Sequence, residues 1–235
     1  MRLFNGSELS PPTLPACASH GIGLHAASHL TARIAPYPDM SQGDLVELFW
    51  NTRFVLAHPI QADEVDRALQ LPIPASFVFG GEAHLHYRVL RVGHRAQKSP
   101  GLSVAVKLDC PGGSLLQDGE NQFLAPVQMP DTVCLNDLKR GVPFSIEPWR
   151  HMAALDSLTL RWGDLRLDLP PLHASQPGQP IKGRIPKSMV REAGQDAHLE
   201  VTYCILDRVG NPSGWAPARQ VCVYRDPTSI DIPKG

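Results

Sequence analysis

Apolar residues alternate with polar ones in short runs along this chain. Leu30, Ala32 and Ile34, then Val46, Leu48 and Trp50, then Leu85, Tyr87 and Val89, then Val104 and Val106 are each spaced two apart. Successive side chains on a strand leave opposite faces, so this spacing predicts strands with one face on a core and the other in water. The second half reads the same way, with Val142, Phe144 and Ile146, then Leu158, Leu160 and Trp162, then Val201, Tyr203 and Ile205, then Val221 and Val223. Helical spacing is scarce. Residues 62–69 begin with acidic side chains, as a helix start prefers, but their counterparts at 174–181 contain Pro177-Gly178 and Pro180. Both are therefore read as a loop or short turn leading into an edge strand.

The two halves are one pattern written twice. Pro36, Met40, Asp44, Leu48 and Trp50 recur 112 positions later as Pro148, Met152, Asp156, Leu160 and Trp162. The register continues through Pro59 and Pro171, Ile73-Pro74 and Ile185-Pro186, and Val78 and Val190. It slips once, by four residues, between Val78 and Tyr87 against Val190 and Tyr203. An even shift leaves the faces unchanged. A unit this long is a domain, whereas repeats of roughly 20–50 residues would indicate a solenoid or propeller.

The expected organisation is an N-terminal tail (1–12), a first sandwich (13–110), a Gly/Ser-rich linker (111–122), a second sandwich (123–226) and a C-terminal tail (227–235). Proline and glycine, 23 and 19 of 235 residues, punctuate the chain too often for long helices. Some seven short strands per roughly 100 residues fit an antiparallel immunoglobulin-like sandwich. The fold class is all-β, two such sandwiches in tandem.

Charge and targeting signals narrow the function. A net charge of −1 gives no basic field for a phosphate backbone, so nucleic acid is not an expected partner. The chain has neither an apolar run that would cross a bilayer nor a secretory leader. A cytoplasmic location is the default expectation, with export by a route that needs no signal peptide as the other possibility. The five cysteines form no close metal-ligand pair. Cys204 and Cys222 fall on outward positions of neighbouring strands, where a bridge is conceivable, although a reducing compartment would oppose it.

Nucleophile-elbow, zinc-protease, P-loop and dinucleotide-binding motifs are all missing, so no cofactor or metal is expected and the chain is read as non-enzymatic. His84 and His86 project from one strand face, with Glu82 on the same parity, but their alternation with Leu85 and Tyr87 is also that of a solvated face. The candidate binding residues lie where the copies differ or where an aromatic sits at a loop. They are His84, His86, His94, Trp149 (in place of Tyr37), Asn211 and Trp215. The acidic turn at Asp63, Glu64 and Asp66 lacks the pattern of a dedicated calcium loop.

The stretch Tyr203-Cys204-Ile205-Leu206-Asp207-Arg208-Val209-Gly210-Asn211-Pro212-Ser213-Gly214-Trp215, followed by Val221 and Val223, resembles the last hairpin of bacterial immunoglobulin-like or fibronectin-like repeats, as found in large repeat proteins of pseudomonads. The first copy keeps Tyr87, Val92-Gly93 and Ser99, with Arg91 for the Asp and His94 for the Asn. Pro36-Tyr37, Met40, Gly43-Asp44 and the strand from Val46 to Trp50 resemble the early part of the same repeats. The resemblance implies tandem non-catalytic modules serving as spacers, adhesive surfaces or recognition domains. Three functions are therefore carried forward. The first is a recognition or scaffolding protein that binds a protein or glycan through its loops. The second is an accessory, spacer or targeting component of a secreted toxin or surface assembly. The third is a hydrolase whose site is dispersed over distant loops.

Overall fold

The computed structural model describes residues 9–17, 20–113 and 119–226. Residues 1–8, 18–19, 114–118 and 227–235, which include most of the expected tails and part of the linker, lie outside the described residues. The chain divides into two compact units, Met1–Leu108 and Asp109–Gly235.

In the first unit, strands β1 (Thr31–Ile34), β2 (Leu45–Trp50), β3 (Arg53–Pro59), β4 (Leu69–Pro72), β5 (Gly81–Leu90), β6 (Gln97–Lys98) and β7 (Leu102–Val106) form two sheets. The larger runs β3-β2-β5-β6, with β7 also paired to β5. The smaller pairs β1 with β4, and Thr13 bridges Arg33 beside it. Ile22 runs parallel to Val106, so the N-terminal segment feeds one edge of each sheet. Alternation closes the core: Val46, Leu48 and Trp50 from β2 and Leu85, Tyr87 and Val89 from β5 point inward with Ile34 and Leu71.

The second unit repeats this plan with β8 (Thr132–Cys134), β9 (Val142–Ile146), β10 (Ser157–Trp162), β11 (Leu165–Asp168), β12 (Ile181–Ile185), β13 (Asp196–Leu206), β14 (Pro212–Trp215) and β15 (Arg219–Tyr224). The larger sheet runs β11-β10-β13-β15-β8, with β14 on β13, and β8 is parallel to β15. β9 pairs with β12, and Gln128 bridges Ser145. Both units are immunoglobulin-like β-sandwiches. Trp50 and Trp162 fill the space between the sheets and are essentially inaccessible.

Strand pairing settles which positions are equivalent. Trp50 lies opposite Leu85, and Trp162 lies opposite Val201, so the matching from β5 to β13 is offset by 116 and His84 corresponds to Glu200. The hairpin turns agree: the Asn51 and Gly163 amides donate to the His84 and Glu200 carbonyls at 2.7 and 2.8 Å. The four-residue slip has a cause. A single 3-10 turn at Ala75–Phe77 in the first unit becomes helix α2 (Lys187–Ala193) in the second, and Val78 and Val190 are buried in both. The sequence reading had no helix here. Its signal was Pro186 at the start and Gly194 at the end, with Met189, Val190 and Ala193 turned to the core. A five-residue helix, α1 (Leu24–Ser28), also escaped the period-two reading.

Equivalence extends further toward the N-terminus than the sequence pattern does. Thr13 and Gln128 occupy the same bridging place, which matches Leu9-Ser10-Pro11 to Leu124-Ala125-Pro126. Leu9 and Leu124 are buried in their respective cores at 5% and 3% exposure. Asn121 is buried as well. Its amide donates to the Trp215 carbonyl at 2.6 Å and its side chain to the Ser213 carbonyl at 2.7 Å.

Candidate functional site

The outward face of the first unit's larger sheet carries a cluster of aromatic, imidazole and basic side chains. On β2, Glu47 and Phe49 face outward, opposite Arg88 and His86 on β5, and His84 faces outward on β5 opposite Ser103 on β7. The His86 ring stacks on Phe49 with centroids 5.1 Å apart and planes 9° from parallel. The Arg88 guanidinium carbon lies 4.5 Å from the Phe49 centroid, while Arg88 Nη2 donates to Glu47 Oε2 at 2.7 Å. Phe54, on β3, meets Phe49 edge-on at 5.8 Å and is about half exposed. Such ring and cation–π contacts are worth about 0.5–1.5 kcal/mol each.

Around this stack lies a groove of about 490 Å³ lined by Phe49, Asn51, Thr52, His84, His86, Arg88 and Lys98. None of these lining side chains is a carboxylate. Asn51 is fixed by its strained turn, with φ at 56°, and its Oδ1 accepts from the His84 amide at 2.8 Å. His84 Nδ1 and Ser103 Oγ share a 2.8 Å hydrogen bond. Lys98 pairs with Arg88 across β5 and β6. Burial, reinforced by Lys98 and Arg88, holds the His86 imidazole below the usual histidine range.

That depression has a defined sign. The folded state holds fewer protons on His86 than the unfolded state near pH 6.5, so the stabilisation is full above that pH and is lost as pH falls toward the folded value. We expect the His86 Hε1 resonance to titrate at lower pH than a free imidazole. In His86→Gln, stability should fall less between pH 7 and 5 than in the wild type. Equal acid sensitivity of the two proteins in urea titrations would contradict this.

The sequence-nominated residues divide into three groups. His84 and His86 come together in the groove, without His94, which is exposed in the turn after β5. Among the described residues, no group of three histidine, cysteine, aspartate or glutamate side chains is placed to hold a metal. Trp149 and Asn211 are buried, at 7% and 2% exposure. Trp149 is not an exposed loop aromatic because its indole donates to Asp156 at 3.2 Å inside its own unit's core, as the Tyr37 hydroxyl does to Asp44 at 3.1 Å. Asn211 belongs to the Asp207 turn. Its amide donates to Asp207 Oδ1 at 2.8 Å and its side chain to Oδ2 at 3.0 Å, with Gly210 supplying φ of 89°.

Trp215 has a counterpart in the first unit. It lies opposite Cys204 as Lys98 lies opposite Arg88, so Trp215 and Lys98 are equivalent. Phe49 in turn matches Arg161, whose guanidinium lies 5.4 Å from the Trp215 ring. An aromatic and a cation thus occupy the same two places in both units, in exchanged order. Ser99, read as the partner of Ser213, matches Ala216 instead, because the Tyr87 and Tyr203 carbonyls accept from Ser99 and Ala216.

Other nominated features resolve locally. Cys222 falls opposite the irregular stretch between Asp196 and Leu199, whereas Cys204 pairs with Trp215. The two sulfurs are therefore about six residues, or roughly 20 Å, out of step along the sheet, too far for a bridge. Glu64 accepts from the Gln61 amide and from His58, both at 2.9 Å. These bonds hold its carboxyl below the usual range, the Gln61 amide contributing most. Among the described residues no helix is long and apolar enough to cross a membrane.

Comparison with known proteins gives fold-level likeness only. No family model matches, and no curated protein matches. Among solved structures, a bacterial ice-binding adhesin studied for host cell surface retention shares 13% identity over 94% of this chain and 67% of its own, with a TM-score of 0.41. The fibronectin(III)-like modules of Clostridium thermocellum CbhA share 9% over 92% of this chain and 94% of theirs, with a TM-score of 0.45. A tetra-tandem repeat from the extending region of a large adhesion protein shares 11% over 92% and 49%, with a TM-score of 0.34. The structural neighbours thus include bacterial adhesin and fibronectin-like repeat domains. The chain itself is a tandem of two immunoglobulin-like sandwiches, as the strand register above defines.

Proposed function

We propose that this chain is a non-catalytic recognition protein and that it holds its partner, a protein or a glycan, on the outward sheet face of the first sandwich rather than on its loops. One observation carries this reading. A groove with a stacked Phe49–His86 floor and only neutral or basic polar groups on its walls lies on a surface whose matched positions in the second unit are Arg161, Thr202 and Cys204. Rigid aromatic side chains in a concave, partly desolvated site are the usual energetic centre of an interface. The strands that carry them are already held by a full core, so little ordering entropy remains to oppose binding.

The test compares the whole chain with two double variants for retention of a partner from producing or target cells. Phe49→Ser with His86→Ser should abolish retention, and Arg161→Ser with Thr202→Ser should leave it. If the first variant retains the partner as the wild type does, the reading is wrong.

A further inference from the structure

We infer that the free edge of β12, in the second unit, takes an extended acidic segment of a partner protein, added to the β9–β12 sheet as a further antiparallel strand with carboxylates opposite Lys182 and Arg184. Backbone directions show that this edge is open. The Ser145 amide and carbonyl both bond to Gln128, at 2.8 Å each way, so Ser145 turns its backbone away from β12. Lys182 lies opposite Ser145, and Arg184 lies opposite Pro143. Such pairs exchange no bonds in an antiparallel ladder, so Lys182 and Arg184 point their N–H and C=O groups out of the sheet. Among the described residues β12 is paired with β9 alone, and no backbone bond reaches these two residues from elsewhere.

The first unit closes the same edge. Ala32 opposite Leu71 is equivalent to Phe144 opposite Gly183, which matches Gln70 to Lys182 and Pro72 to Arg184. Pro72 has no N–H to give an incoming strand. In the second unit an arginine stands in its place, and two successive outward positions can bond to an added strand, the usual source of affinity in strand addition.

The side chains select what joins. Lys182 and Arg184 are exposed on one face, and the Arg184 Nη1 bond, at 3.3 Å, goes to the neutral Gly141 carbonyl. They border a hollow of about 630 Å³ that also has Gln128 and Ser145 in its lining and no carboxylate. Lysine on an edge ordinarily keeps strands away. It does so by charge, so a basic strand is refused, whereas a strand with acids at alternate positions gains a cross-strand ion pair at each. Pairing of β12 with β12 of a second copy would set cations against cations. A glycan or a polyphosphate would meet the charges and leave the backbone groups unused.

The inference is tested on the whole chain by fluorescence anisotropy of a labelled Thr-Glu-Val-Glu-Val-Glu-Thr peptide. Its comparators are a peptide of the same composition with the three glutamates consecutive, one methylated on the glutamate amide nitrogens, and tripolyphosphate. The alternating peptide should bind with a salt-sensitive affinity and slow hydrogen exchange at the Lys182 and Arg184 amides, while Gly183, turned toward β9, stays unchanged. Lys182→Ala and Arg184→Ala should each weaken binding about threefold, the scale of one cross-strand ion pair. Methylating the peptide should weaken it about tenfold, the scale of two lost hydrogen bonds. Arg184→Pro, which copies the first unit, should abolish binding, and Gln70→Ala should leave it unchanged. Equal binding of the methylated peptide, the consecutive-acid peptide or tripolyphosphate would overturn the inference, because charge alone would then account for it. Absence of binding, or unchanged exchange at Lys182 and Arg184, would do so as well. If Arg184→Pro unfolds the second unit, the alanine variants and the methylated peptide still decide.

Discussion

Gly183→Leu should destabilise the second sandwich by about 3 kcal/mol, the upper end of an overpacked core, and the same leucine should be tolerated once Phe144 is cut to alanine. Gly183 and Phe144 are directly opposite on β12 and β9. A Cβ at Gly183 would come 2.8 Å from Phe144 Cε1 and closer still to Cζ, so the ring occupies the space a side chain would need. The first unit solves the same position the other way round, with Ala32 opposite Leu71. Phe144→Ala alone should cost about 3–5 kcal/mol through the cavity it leaves. The double variant Phe144→Ala with Gly183→Leu rebuilds the first unit's pair and should recover about 1–3 kcal/mol relative to the sum of the single changes. Urea unfolding followed by hydrogen exchange on β9 and β12 peptides reads the coupling. Strict additivity would show that the two sites do not share a volume.

Arg91→Ala should cost the first sandwich about 3 kcal/mol, the lower end for breaking a buried ion pair. Arg91 Nε donates to the buried Asp44 carboxylate at 3.2 Å, and Nη2 donates to the Pro38 carbonyl at 2.7 Å. Asp44 would keep the Tyr37 hydroxyl and the Ser41 amide, at 3.1 and 3.2 Å, which is why the cost stays at the lower end. Adding Asp44→Asn removes the stranded charge, so the double variant should be more stable than Arg91→Ala alone. Trp50 is the only tryptophan in the first unit's sequence, and its fluorescence follows that unit through the transition. If the double variant is the less stable of the two, the charge of Asp44 is not what Arg91 serves.

The strands, their inward faces and the tryptophan cores were legible because period-two alternation is a local property, and its recurrence in the second half of the chain checked each reading. Asp207 was likewise readable as a turn cap, since its bonds to Val209 and Asn211 span at most four residues. The site was legible only in part. His84 and His86 share a face by parity alone, but Phe49, Arg88 and Lys98 join them through pairing across β2, β5 and β6, and that register is set by hairpins and bulges that no local window contains. The same limit hid the match of Trp215 with Lys98, because the turns before them differ in length. Trp149 looked exposed because it follows a proline at a loop. Its burial depends on Asp156, seven residues away, offering an acceptor inside the core.

The exchanged pairing of large and small side chains also bears on how the chain folds beside its own copy. Tandem modules of similar design are prone to trading strands as they form. If β9 entered the first sandwich, Phe144 would meet Leu71, and if β1 entered the second, Ala32 would face Gly183 across a void. One mistake is too full and the other too empty, each carrying a misfit of roughly 1–5 kcal/mol. Two units that share a backbone plan thereby keep their strands mutually unacceptable, and the duplicated chain sorts itself into the right pair of domains.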